Sequence, residues 1–430
     1  MRLLVPCRRR GAGLGGLDYA PRDNVFVGRD PYLDRHNLVC HNLHIAFPDH
    51  SPTNPFSFGA LALDEAFTDR ERELKELAAD MRNGQDVVLF APRRYGKSSL
   101  LWRVAQELVT EDILVAQVDL MRTPTKEKLA EKLAKTIHEE IASRLFRARE
   151  RARVFAGLRV KPTITVDPDD GSLSFGFDAR ADKQDIDATL EGLLALPGRL
   201  AAERDRRVAL VLDEFQEVVE VDPGLPKLMR SVFQEQPEVS HVYLGSKRHM
   251  MERIFNDENE PFWRSAKQME LGVILPVLFE RYATEQFTRT GKVLDPSACE
   301  RLLQLTGGHP YATQEALYFL WEEASAGETA EDARLRLALE ALLRSEHAHF
   351  SLLWSRAAAA QRLVLQALAS EQPGRPLSSD YQGRHSLPGA STVQTALGAL
   401  SEAELVSRIG RGEYRIAEPF LAEWIVLNES

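Results

Sequence analysis

Asp86-Val-Val-Leu-Phe90-Ala91-Pro92-Arg93-Arg94-Tyr95-Gly96-Lys97-Ser98-Ser99-Leu100 is the stretch that decides how this chain is read. Val87 to Phe90 is an apolar run of strand formers, as short as a buried strand. Ser98 to Val104 reads as the opening turns of a helix. Between them lies a tight loop. In this context backbone N–H groups wrap a polyphosphate and the helix N-terminus adds partial positive charge. Pro92, Arg93, Arg94, Tyr95, Gly96, Lys97, Ser98 and Ser99 are therefore the candidate nucleotide-binding segment. Lys97 supplies a cation for the phosphates, and the Ser98 hydroxyl is placed to ligate Mg²⁺. The pattern asks for glycine at its first position, where this chain has Ala91; one methyl fits there if φ stays negative. A basic surface loop is the plainer alternative, but it leaves the co-occurrence of strand, helix and Gly-Lys-Ser unexplained.

At 430 residues the chain exceeds one ordinary core, so two or three domains are expected. Hydrophobic residues at 44% and charged residues at 27% fit a globular protein. No apolar run approaches the ~20 residues that cross a bilayer, and Met1 to Cys7 holds no signal-peptide core. Cys7, Cys40 and Cys299 are too scattered for a disulfide framework, so a cytoplasmic protein with reduced thiols and no membrane partner is expected. The net charge of −10 opposes an overall electrostatic grip on nucleic acid.

Residues 1–54 are rich in Gly, Pro, Asn, Asp and His and carry no periodic apolar pattern; they read as a disordered extension. Gly11 to Gly16 superficially matches a dinucleotide fingerprint but follows Arg8-Arg9-Arg10 instead of a strand. His36, Cys40, His41 and His44 match no zinc spacing. Order is expected from Asn54-Pro55-Phe56. Thr68 reads as the N-cap of a helix, with Glu71 completing a capping box and Gly84 ending it. Ile113–Leu120 is a second strand, Lys126 to about Phe155 a long helix, and Thr163–Val166 with Leu173–Phe177 a hairpin turning at Asp169-Asp170-Gly171. Ile186–Arg204 is a helix.

Val208-Ala-Leu-Val-Leu212-Asp213-Glu214 is a fully apolar strand with two carboxylates at its C-terminal end, the edge where parallel sheets bind ligands. Asp213 is the candidate Mg²⁺ ligand and Glu214 the candidate base for the attacking water. The strand His241–Leu244 ends in Ser246 and Arg248, candidates to feel the γ-phosphate. Arg264 is a candidate charge stabiliser, in cis or from a neighbouring subunit, against the plainer reading of a structural ion pair. From Leu278 the pattern is helical. Gly307-Gly308 caps one helix and Pro310 opens the next, with His309 a candidate phosphate contact. After about Ala360, three helices and a two-stranded wing, Leu405–Ile409 and Tyr414–Ile416, make a winged helix. A DNA-reading role would use Ser391, Thr392, Gln394 and Thr395 with Arg408, Arg411 and Arg415. From Phe350 onward, however, the formal charge is −1, so this module is expected to bind duplex weakly.

These motifs, in this order, resemble the archaeal-type ATPase family, a branch of P-loop ATPases related to AAA and STAND proteins. They are Phe67-Thr-Asp-Arg70-Glu-Arg-Glu-Leu74, the Lys97 loop, Leu210-Val-Leu-Asp-Glu-Phe-Gln-Glu217, Leu244-Gly-Ser-Lys-Arg-His249 and Thr306-Gly-Gly-His-Pro-Tyr311. The resemblance covers roughly residues 54–430. It implies an AAA-like α/β P-loop domain over 55–275, a helical lid over 276–348 and a winged helix over 349–430. It also implies that Phe67 and Arg70 lie near the adenine and that the turn at His309-Pro310 closes on the phosphates. The expected function is an Mg²⁺-dependent ATPase switch that binds ATP and ADP. Its nucleotide state would reposition the winged helix toward DNA or a protein partner, in a chain that could assemble with copies of itself. The alternative is a nucleotide-sensing transcription regulator with little turnover; a kinase is weaker, because no acceptor-binding motif accompanies the loop.

Overall fold

The computed structural model describes residues 53–59, 68–151, 153–168, 172–177 and 183–429. Phe67, the turn at 169–171 and the whole N-terminal stretch through residue 52, with its glycine run and its His/Cys group, lie outside them.

Five strands form the central sheet: β1 (Val87–Phe90), β2 (Leu114–Asp119), β5 (Val208–Asp213), β6 (Val239–Gly245) and β7 (Lys267–Glu270). The hairpin β3 (Thr163–Val166) and β4 (Leu173–Gly176) pairs only with itself, antiparallel. The sheet order is β2-β5-β6-β1-β7, and every pairing in it is parallel. A parallel sheet must be covered on both faces, which is why its inner strands are apolar throughout. Val87 and Leu89 point into a core shared with the helices Glu71–Arg82 and Lys97–Val109. Val88 and Phe90 point the other way, toward Lys126–Thr136, Lys183–Arg204, Leu225–Phe233 and Arg248–Asn256.

Three local readings change. The helix predicted from Thr68 begins at Glu71, capped by Arg70 with no side-chain bond, because Asp69 and Arg70 both take positive φ (57° and 76°). The long helix from Lys126 passes into a π-helical turn at Ile137–Ala142 and stops where Phe146 becomes extended (φ −128°, ψ 146°). The helix Pro419–Asn428 closes the chain and was not anticipated.

Beyond the sheet, the helices Pro276–Arg289, Pro296–Thr306, Pro310–Glu323 and Asp332–Arg356 form the lid. Ala359–Ser370, Ser379–Arg384 and Ala390–Glu402, with the antiparallel ribbon β10 (Val406–Gly410) and β11 (Glu413–Ile416), form the winged helix; the short parallel pair β8 (Val293–Leu294) and β9 (Thr329–Ala330) stays in the lid. Lid and winged helix share one apolar core, in which Phe350 of the long lid helix packs on Trp424 of the last helix. The same core takes in Phe56, whose ring meets Tyr282 and Phe287 at 5.9 and 5.5 Å between centroids. Asn54 Nδ2 donates to the Tyr318 carbonyl at 3.1 Å, so the segment preceding the α/β domain is strapped to the lid. Among the described residues no helix is long and apolar enough to cross a membrane.

Candidate active site

The sheet order sets the geometry. β6 lies between β5 and β1, so Asp213-Glu214, Ser246 and Ala91 leave the same sheet edge side by side. Ala91 does not take a positive φ, and its methyl joins the core with Leu100 and Leu244, so glycine is not needed there. Gly96 is different: it caps the P-loop helix at φ 85°, a conformation a side chain would strain. Lys97, the first residue of that helix, is buried, and its Nζ donates to the carbonyls of Ala91 (2.8 Å) and Pro92 (3.4 Å). Burial pulls the Lys97 pKa down, against the opposing pull of Glu214 and Asp213. Ser98 is exposed on the mouth of the loop and Ser99 is buried behind it.

Glu214 turns sharply out of β5, with φ 53° and ψ 49°. Its Oε2 accepts from Ser246 Oγ at 2.7 Å and from Gln216 Nε2 at 2.6 Å. Burial opposes its ionisation, but the bonds from Gln216 and Ser246 and the nearby Lys97 outweigh it, leaving the carboxyl below its ordinary pKa. Asp213 Oδ2 accepts from Gln117 Nε2 at 3.1 Å, and its Oδ1 from the Glu214 amide at 3.0 Å. Burial and the neighbouring Glu214 raise its pKa. A hydroxyl and a carboxylate at the mouth of a phosphate loop are hard oxygen donors of the kind Mg²⁺ takes, so the residues fit that ion. Gln216 and Gln117 escaped sequence reading. Gln216 follows Glu214 by two residues, but Gln117 reaches the site only because β2 lies beside β5.

Arg248 is drawn away: its guanidinium bonds Glu252 (2.8 Å) and Glu270 (2.5 Å) on the surface. Arg264 lies with Asp80, Asn83, Gln85 and Lys267 around a cavity at the N-terminal ends of the strands. The length of β1, on the order of 10 Å, separates that end from the P-loop, so Arg264 does not serve the phosphates in cis. Its guanidinium faces the Trp263 ring at 5.7 Å, and it forms no ion pair among the described residues.

Arg70 is buried and its Nη2 donates to the Gly272 carbonyl at 2.5 Å, pinning the start of its helix to the segment leaving β7. Burial lowers its pKa, with Glu73 pulling the other way. His309 caps the helix Pro310–Glu323, its Nδ1 accepting from the Ala312 amide at 3.3 Å. Burial and Arg94 push the imidazole down to about 4, so it is neutral at pH 7. Its ring meets Tyr95 of the P-loop edge-on at 4.7 Å. The P-loop arginines are held from the winged helix: Arg93 Nε pairs with Glu404 at 2.9 Å and Arg94 Nη1 with Glu418 at 3.0 Å. Arg94 also lies over the Tyr311 ring at 4.3 Å. Nothing in the order of residues announces these contacts.

Residues 67–315 match the family described as an ATPase domain predominantly from Archaea, and 348–427 match a probable winged helix domain. No curated protein matches the chain. Among solved structures it is similar to the Walker-type ATPase PABY2304 of Pyrococcus abyssi. That likeness has a TM-score of 0.59 and 16% identity, over 85% of this chain and 97% of the other. It is also similar to the Aeropyrum pernix ORC2 protein in its ADPNP-ADP complexes, with a TM-score of 0.51 and 15% identity, over 87% and 97% of the two chains. At these identities the likenesses speak for the fold: a P-loop ATPase sheet, a helical lid and a winged helix. With a phosphate loop, an acidic strand end and a family match over more than half its length, the chain belongs to the ATPase family found predominantly in Archaea and is an ATP-hydrolysing P-loop enzyme.

Proposed function

We propose that this ATPase is an Mg²⁺-dependent switch whose nucleotide state sets the position of its winged helix, which engages DNA or a protein partner. The observation that carries this reading is the pair of ion pairs Arg93–Glu404 and Arg94–Glu418, because they tie the loop that wraps the phosphates to the domain that would move. Anionic phosphates entering the loop compete with Glu404 and Glu418 for the same two guanidinium groups. Lys97 gives up its loop carbonyls for the β- and γ-phosphate oxygens, and Glu214, ionised at neutral pH, takes the proton of the attacking water. Ser246 and Gln216 keep that carboxylate aimed. Ser98 and Asp213 would hold Mg²⁺, which when bound offsets charge on the phosphate oxygens. Release of phosphate returns the arginines to the winged helix.

The test is ATP turnover by the full chain with Mg²⁺ and with EDTA, beside Lys97→Ala. Turnover should require Mg²⁺, and Lys97→Ala should lose nucleotide binding. Energy transfer between labels on the P-loop domain and the winged helix should differ between the ADP and ATP-analogue states. Equal transfer in both would end the switch reading while leaving the ATPase intact.

A further inference from the structure

Arg415 lies half-buried on β11, the second strand of the winged-helix ribbon, next to Ile416, which enters the shared core. A Cβ placed on Gly307 would lie 2.9 Å from its Nη2, so the guanidinium rests on the Gly307-Gly308-His309 turn. Tyr95 of the P-loop and His309 are both within its electrostatic reach. The half-buried Arg415 has no carboxylate partner among the described residues. The neighbouring P-loop cations differ in this, since the same domain supplies Glu404 to Arg93 and Glu418 to Arg94. The winged helix thus brings two carboxylates to the loop's arginines and one unmatched arginine to its tyrosine. A guanidinium drawn partly out of water without a counter-ion is costly, and a phosphate group offers its five-donor fork a matched acceptor. The helix Pro310–Glu323 opens at the same place, adding the partial positive charge of its N-terminus.

We propose that Arg415 is a direct ligand of the bound nucleotide's polyphosphate, so that the nucleotide site is a composite of the P-loop domain and the winged helix. The inference rests on the ATP site proposed above. It also withdraws Arg415 from the set expected to face DNA, because its guanidinium is turned to the ATPase body. The wing keeps Arg408 and Arg411 on its exposed side.

The test is a titration of the full chain with a fluorescent ATP analogue and Mg²⁺. Arg415→Ala should weaken binding about tenfold or more, and Arg415→Lys should fall between it and wild type, keeping the charge but losing the fork. Arg408→Ala, on the same ribbon with its Nε bonded to the Gly410 carbonyl, should match wild type. Glu404→Gln breaks a docking ion pair without touching Arg415, and should bind as well as wild type or better. The proposal is overturned if Arg415→Ala keeps wild-type affinity. It is equally overturned if Glu404→Gln loses as much, since docking itself would then be what the nucleotide reads. Failure of wild type to bind any nucleotide would instead strike the site reading, and this proposal with it.

Discussion

Glu214 is held in a left-handed backbone conformation that costs a residue with a side chain on the order of 1–3 kcal/mol, and the cost is met by the bonds its carboxylate accepts. Those bonds lead to two predictions. Glu214→Gln should keep ATP bound and slow hydrolysis by about 10²-fold or more, because an amide cannot serve as base; single-turnover rates alongside binding titrations check this. Ser246→Ala removes a donor that lowers the Glu214 pKa, so that pKa rises and the acidic limb of the rate profile moves to higher pH. Its maximal rate should fall about tenfold with little change in ATP affinity. That Lys97, Glu214 and Ser246 come together at one sheet edge was legible, because motif spacing and strand ends place them without help from the rest of the fold. Where Arg248 and Arg264 lie was not legible, because nothing local distinguishes an arginine that reaches a phosphate in its own chain from one bonded to Glu252 and Glu270, or one at the far end of the sheet.

The inner strands β1, β5 and β6 were readable because both their faces are buried and their sequences are correspondingly apolar. β7 was not, because as an edge strand it buries only Met269 of its four residues. The break in the long helix after Lys126 was hidden as well, since the apolar spacing runs on through the π-helical turn. That turn carries Glu140, whose Oε2 accepts from the Gln117 amide at 2.8 Å on the open side of edge strand β2. Burial raises the Glu140 carboxyl to about 7 from 4.5. A carboxyl raised on folding stabilises fully below its unfolded pKa, and that contribution is lost as pH rises toward about 7. At 1.36 kcal/mol per unit the loss is on the order of 3 kcal/mol, less in practice because the side chain keeps some exposure. Glu140→Gln retains an acceptor for Gln117 but cannot ionise. Its thermal midpoint should therefore fall less than that of wild type between pH 5 and pH 8; parallel curves would show that the carboxyl is not the cause.

At the scale of the molecule, the lid and winged helix behave as one body because they share a core, joined further by Trp424 Nε1 donating to His347 Nδ1 at 3.0 Å. The winged helix cut out at residue 350 would take from Trp424 its partner His347 and split the helix Asp332–Arg356, so DNA binding is best measured on the full chain. Ser391, Thr392, Gln394 and Thr395 are exposed on one helix face, but beside them the wing exposes Arg408 and Arg411 while Arg415 is half-buried. Duplex affinity should be micromolar or weaker at physiological salt. Nanomolar anisotropy binding lost in Arg408→Ala with Arg411→Ala would overturn this expectation. Phe56 is the far anchor of the same body. Phe56→Ala should cost about 3–5 kcal/mol, read as a lowered denaturation midpoint.

The strap around Phe56 also orders events during synthesis. Asn54 meets the Tyr318 carbonyl across 264 positions of chain, so the lid cannot close on this anchor until those positions have been made. At translation rates of about 5–20 residues per second, Phe56 waits roughly 12–46 s for Tyr282 and Phe287 to be made. The sheet from Val87 to Glu270 is complete before then, so the nucleotide loop can form on the ribosome while the lid still lacks its first residue. Nascent chains stalled before Tyr318 should be open to protease around Phe56, at a site that becomes protected only once translation passes that point.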